Sequence, residues 1–135
     1  MAASDNVVRA GLTPKYQDVD TLVTMLTYDY GPAEDQKLLG DPYKDTKFSK
    51  LYDPPIEEFS ILKTSLTNNQ EQIPAINGPS IIITTEGKGK ISWKEDGKDS
   101  SLDIAKGYVI FIGAGCPITI SSNTTVTLYR AYCEI

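Results

Sequence analysis

Gly107-Tyr108-Val109-Ile110-Phe111-Ile112-Gly113-Ala114-Gly115 sets an unbroken apolar run between glycines. Valine, isoleucine and phenylalanine favour an extended backbone, and the run is strand length rather than helix length. It has no polar alternation, which predicts a strand buried on both faces. Outward from it the pattern stays β. Phe59-Ser60-Ile61-Leu62-Lys63-Thr64 predicts a strand, residues 68–72 a polar loop, and Ser80 to Thr85 a β-branched strand. Gly87-Lys88-Gly89 predicts a hairpin turn into Lys90-Ile91-Ser92-Trp93, and Asp96-Gly97 carries a strong short hairpin signal. Residues 102–104, 117–121 and 125–133 supply the remaining strands. About seven or eight short strands separated by turns are the mark of a sandwich or jelly roll.

Upstream the periodicity changes. Asp18 is placed to cap a helix, with Asp20 in its first turn facing the positive end of the dipole. Val19, Leu22, Val23 and Leu26 recur at i, i+3, i+4 and i+7, one apolar face. Tyr30-Gly31-Pro32 supplies a stop. Residues 31–55 predict a long polar connection, with Pro54-Pro55 a rigid lead into the β-region. The expected organisation is therefore residues 1–30 as the end of a larger body, 31–55 as a linker, and 56–135 as a separate β-domain.

Composition narrows the chemistry. A net charge of −5 with no basic cluster argues against nucleic acid and anionic membranes as partners. No stretch approaches the roughly 20 apolar residues of a membrane span. Residues 1–5 lack the basic end and apolar core of a leader. Cys116 and Cys133 stand without metal spacing, as reduced core thiols of a cytoplasmic protein would. The chain has no histidine, the commonest zinc ligand and the usual acid or base near neutral pH. A self-contained zinc site is therefore not expected.

Several residues carry two readings. In Ser4-Asp5-Asn6-Val7-Val8-Arg9-Ala10-Gly11-Leu12-Thr13-Pro14-Lys15, a fixed Arg9 guanidinium suits an oxyanion or a phosphate. Beside Asp5 it equally suits an ion pair. Lys15 suits a phosphate or a solvated turn, and Asp5 and Asn6 suit turn or capping positions. Gly87-Lys88-Gly89-Lys90 lacks the helix and the Lys-Ser/Thr ending of a phosphate loop. Glu57 and Glu58, adjacent along a strand, would point to opposite faces. Arg130, between Tyr129 and Ala131, is expected to face solvent or pair locally.

Two resemblances add to this. Residues 107–115 resemble the second motif of the cupin fold, with Gly113 where that motif places proline and Ile118 where it places a metal histidine. Residues 4–15 closely resemble the second signature segment of the type I, zinc-dependent mannose-6-phosphate isomerases. Leu22 to Tyr28, residues 51–59, Gly78-Pro79-Ser80-Ile81 and Tyr129-Arg130-Ala131 also resemble that family's carboxyl-terminal third. The resemblance implies a cupin-like jelly-roll domain, mainly β, preceded by a short strand and one helix. It implies interconversion of mannose 6-phosphate and fructose 6-phosphate for GDP-mannose synthesis, with Arg9 matching the catalytic arginine and Lys15 a substrate-binding lysine. The family's zinc ligands lie upstream of the matched segment, so no metal ligand is expected here. The chain then reads as a carboxyl-terminal fragment, inactive alone, whose partners are a phosphosugar and a missing catalytic domain. The competing reading is a non-catalytic cupin-like binding or interaction module.

Overall fold

The final strand of the chain runs through the middle of its sheet. A computed structural model describes residues 7–9, 11–95 and 97–134, in two units, Met1–Lys37 and Leu38–Ile135. In the second unit the described residues form seven strands: β1 (Asp41–Pro42), β2 (Ser49–Tyr52), β3 (Ser60–Ile73), β4 (Ser80–Glu95), β5 (Lys98–Ala105), β6 (Val109–Ile112) and β7 (Ile118–Tyr132). The sheet order is β1-β2-β3-β7-β4-β5, with β6 added to β4, and every pairing is antiparallel. Strand β7 pairs with β3 on one side and β4 on the other, so that Arg130 stands opposite both Leu62 and Ile82. The free edge of β4 is shared. Its first half takes β6 and its second half takes β5.

Three strands are far longer than the sequence pattern predicts. Strands β3, β4 and β7 have 14, 16 and 15 residues. At about 3.3 Å per residue a straight strand of that length spans about 50 Å, whereas a domain of about 100 residues has a radius of gyration near 13 Å. The strands must bend, and bulges bend them. The β3–β7 register shifts between Thr67 and Asn69, where Asn68 adopts φ 48. The β4–β7 register shifts at residues 84–86 and 87–90. The expected loop at 68–72 and the expected turn at 87–89 are thus bends within strands. At residue 87 only glycine fits: φ is +70, and an added Cβ would lie 1.8 Å from the Thr125 carbonyl oxygen. The Asp-Gly hairpin is observed, with Glu95 paired to Lys98; Asp96 lies outside the described residues.

The inward face alternates along each strand. Leu62, Leu66 and Ile73 of β3, Ile82 and Ile91 of β4, and Ile118, Ile120, Val126 and Leu128 of β7 are buried, joined by Ile104 and Ile112. Each such side chain contributes about 1.5–3 kcal/mol by leaving water. Strand β6 departs from expectation. Val109 and Phe111 are 63% and 68% exposed, so only one face is covered. With Ile81 and Ile83, their partners in register, they form an outward apolar patch.

Residues 31–55 also differ from a plain linker. They hold a 3-10 turn (Ala33–Gln36) and strands β1 and β2, and the boundary between the units falls after Lys37. Polar composition hid these strands, because both lie toward the sheet edge and bury little apolar surface. In the first unit, helix α1 (Val19–Met25) is capped by Asp18, whose Oδ1 accepts from Thr21 N–H at 3.0 Å. It ends at Leu26 rather than at Gly31. Beyond that point Thr27 Oγ1 donates to Asp29 Oδ2, a local bond that competes with helical continuation. Residues 7–9 carry no strand pairing, in contrast to the expected short strand. No described helix is long and apolar enough to cross a membrane.

Candidate functional site

Arg9 and Lys15 sit on a segment folded back onto the start of α1. Asp18 N–H donates to the Arg9 carbonyl at 2.9 Å, and Leu22 N–H donates to Asp18 O at 3.1 Å. Asp18 therefore holds both the helix start and the backbone at Arg9. Thr21, through its hydroxyl and its N–H, draws the Asp18 carboxyl below its ordinary pKa. Downstream, Thr13 Oγ1 accepts from Lys15 N–H at 3.2 Å, closing the turn around Pro14. Arg9 is half-buried and Lys15 exposed. Among the described residues neither side chain has an ion-pair partner. Asp5 and Asn6 lie outside the described residues. The apolar side chains of α1 do not form a buried face: Val19 and Val23 are 50% and 52% exposed.

The second polar constellation is inside the β-domain, and sequence reasoning missed it. Arg130 is 1% exposed, rather than facing solvent. Its Nε–H donates to Ser80 Oγ at 2.9 Å. Strand parity carried the missed signal, since Val126, Leu128, Arg130 and Tyr132 alternate with outward residues and share the core face. Burial pulls the Arg130 pKa down, while Tyr43, Cys116 and Tyr132 push it the other way. Burial, with Tyr43 and Glu134 nearby, pushes the Tyr132 phenol up to about 12.

A third polar group is structural. Glu71, also buried, accepts from Phe48 N–H at 2.7 Å, Lys47 N–H at 2.5 Å and Ser49 Oγ at 2.5 Å. It ties the segment before β2 to β3. Glu57 and Glu58 are exposed. Cys116 and Cys133 are free and half-buried; Cys116 packs against the buried core, and Cys133 follows the end of β7.

The donor set does not fit zinc. The chain has no histidine, and among the described residues no three cysteine, aspartate or glutamate side chains cluster as a metal site requires.

Residues 49–94 match the family described as "Phosphomannose isomerase type I C-terminal". A mannose-6-phosphate isomerase of Ogataea parapolymorpha is 49% identical over 140 residues, covering 99% of this chain. The chain is similar to the carboxyl-terminal portion of the type I phosphomannose isomerases. It spans about a third of the length of the curated relatives it matches, 32% of the Ogataea protein. Among solved structures, a point mutant of phosphomannose isomerase from Salmonella typhimurium superposes with a TM-score of 0.69 at 31% identity. That match covers 99% of this chain and 33% of the isomerase chain. A vicilin from tomato, 17% identical with a TM-score of 0.59 over 74% of this chain and 32% of its own, shares the fold alone. The cupin-like jelly roll expected from residues 107–115 is thus the observed architecture, on a sequence similar to phosphomannose isomerases.

Proposed function

We propose that this chain supplies the arginine-bearing wall of a mannose-6-phosphate isomerase active site, with the metal-binding wall furnished by the remainder of a longer isomerase. The observation that carries this reading is the 49% identity to such an enzyme across 99% of the chain. The reaction moves a proton between C1 and C2 of the sugar and exchanges the carbonyl and hydroxyl between them. Negative charge develops on the substrate oxygens as it does so. Arg9, a permanent cation with parallel donors, is suited to hold that charge. Lys15, exposed beyond the turn, is suited to the phosphate as a point charge.

Two apolar surfaces favour this reading over a stand-alone binding module. The helix face of Val19 and Val23 and the sheet face of Ile81, Val109 and Phe111 are each exposed in their own unit. Patches of this kind mark surfaces that pack against another body. The setting that follows is cytoplasmic sugar-phosphate metabolism feeding GDP-mannose synthesis. Zinc belongs to the remainder of the enzyme, since the described residues of this chain offer it no ligand set.

Metal analysis and a coupled mannose 6-phosphate assay on the isolated chain test the division of labour. The expected result is no stoichiometric zinc and no turnover. Turnover with bound zinc contradicts it.

A further inference from the structure

The β-domain interior contains a cation without a counter-charge. Among the described residues the ion pairs are Lys37–Glu34 and Lys90–Asp103, so Arg130 has no carboxylate partner. Its Nη1 and Nη2 have no hydrogen-bond acceptor, and the Tyr43 hydroxyl, also buried, has no partner either. The residues paired with it across the sheet, Leu62 and Ile82, carry apolar side chains. An unpaired ion removed from water costs several kcal/mol, and a guanidinium does not escape that cost by losing its proton. Tyr132 shares the core face of β7 with Arg130, and Tyr43 belongs to the same buried cluster as Tyr132. They also line a hollow of about 550 Å³, which opens past Asp53, Glu57 and Glu134 and does not itself reach Arg130.

We propose that the interior of the β-domain binds one small monovalent anion, of chloride size, between Arg130 Nη1 and Nη2 and the Tyr43 hydroxyl. A single guanidinium balances a single charge, and among the described residues the other buried charged side chain in the domain is the acidic Glu71. A dianion such as a sugar phosphate would leave a charge unbalanced beside the single guanidinium. This separates the interior site from the substrate phosphate proposed for Lys15. The two unsatisfied Nη groups and the hydroxyl are all donors, and an anion accepts from all three. The anion would lock β1, which precedes Tyr43, to the central strand β7.

The test uses the full chain in gluconate buffer, with chloride replacing gluconate at constant ionic strength. The expected result is saturable broadening of the chloride NMR line and a rise in Tm that saturates over the same range. Arg130→Met abolishes the saturable broadening, and Tyr43→Phe weakens chloride binding about tenfold, the equivalent of one hydrogen bond. Absence of a saturable response in the native chain overturns the proposal. So does a Tyr43→Phe variant that binds chloride as tightly as the native chain. That second criterion stands even if Arg130→Met fails to fold.

Discussion

Arg130 and Ser80 join the two longest-paired strands from inside: the Arg130 Nε–H of β7 donates to Ser80 Oγ of β4 at 2.9 Å, both groups buried. A hydrogen bond to a charged group in such a place contributes about 1.5–3 kcal/mol. Ser80→Ala should therefore lower stability by about 2 kcal/mol, read as a fall in the urea midpoint at unchanged m-value. Adding Arg130→Met should cost less than the sum of the single losses, because the guanidinium that would be stranded is gone. Additive losses would show that the pair is not coupled.

Gly87 and Gly97 separate backbone strain from steric exclusion. Both have positive φ, +70 and +77, but a Cβ at 87 would strike the Thr125 carbonyl while the space around 97 is open. Gly97→Ala should cost about 1 kcal/mol, the penalty of a left-handed alanine. Gly87→Ala carries the same penalty and must also push β7 away from β4, so it should cost at least about 3 kcal/mol. Equal Tm losses for the two variants would contradict the close approach of the strands at the bulge.

Those bulges also explain where the sequence was legible and where it was not. The apolar run at 109–112 and the Asp-Gly hairpin are local signals, and both appear as strand and turn. Asn68 and Gly87-Lys88-Gly89 are local signals too, but for turns. They become bends within strands only because β7 lies alongside to pair with both flanks, a long-range fact no window of residues contains. Arg130 was misplaced for a related reason. Its type argued for solvent, and only the register of β7 fixes its face. The exposure of Val109 and Phe111 likewise depends on β6 pairing at the edge of β4. In the first unit the Asp18 cap was legible, whereas the geometry tying Arg9 to that cap was not.

Tyr132 should make stability fall at alkaline pH. Its phenol titrates near 12 in the folded chain against an ordinary 10.0. Below pH 10 both states hold the proton and the group has no effect. Between about 10 and 12 the unfolded chain releases the proton and the folded chain keeps it, so stability declines by up to about 1.4 kcal/mol per pH unit. Tyr132→Phe should flatten that decline in chemical-denaturation series at pH 9 to 11, at about the same stability otherwise. An unchanged slope would show that the Tyr132 phenol is not desolvated.

The central claim is that Arg9 acts on substrate within a longer isomerase. It is tested most directly by grafting this chain onto the Ogataea parapolymorpha enzyme in place of the matching third and measuring coupled mannose 6-phosphate turnover. The graft should turn over substrate. Arg9→Ala in the graft should lower kcat about 100- to 1,000-fold with the fold and zinc content retained, and Arg9→Lys should recover only part of the loss. A folded, zinc-loaded graft whose kcat is unchanged by Arg9→Ala would contradict it.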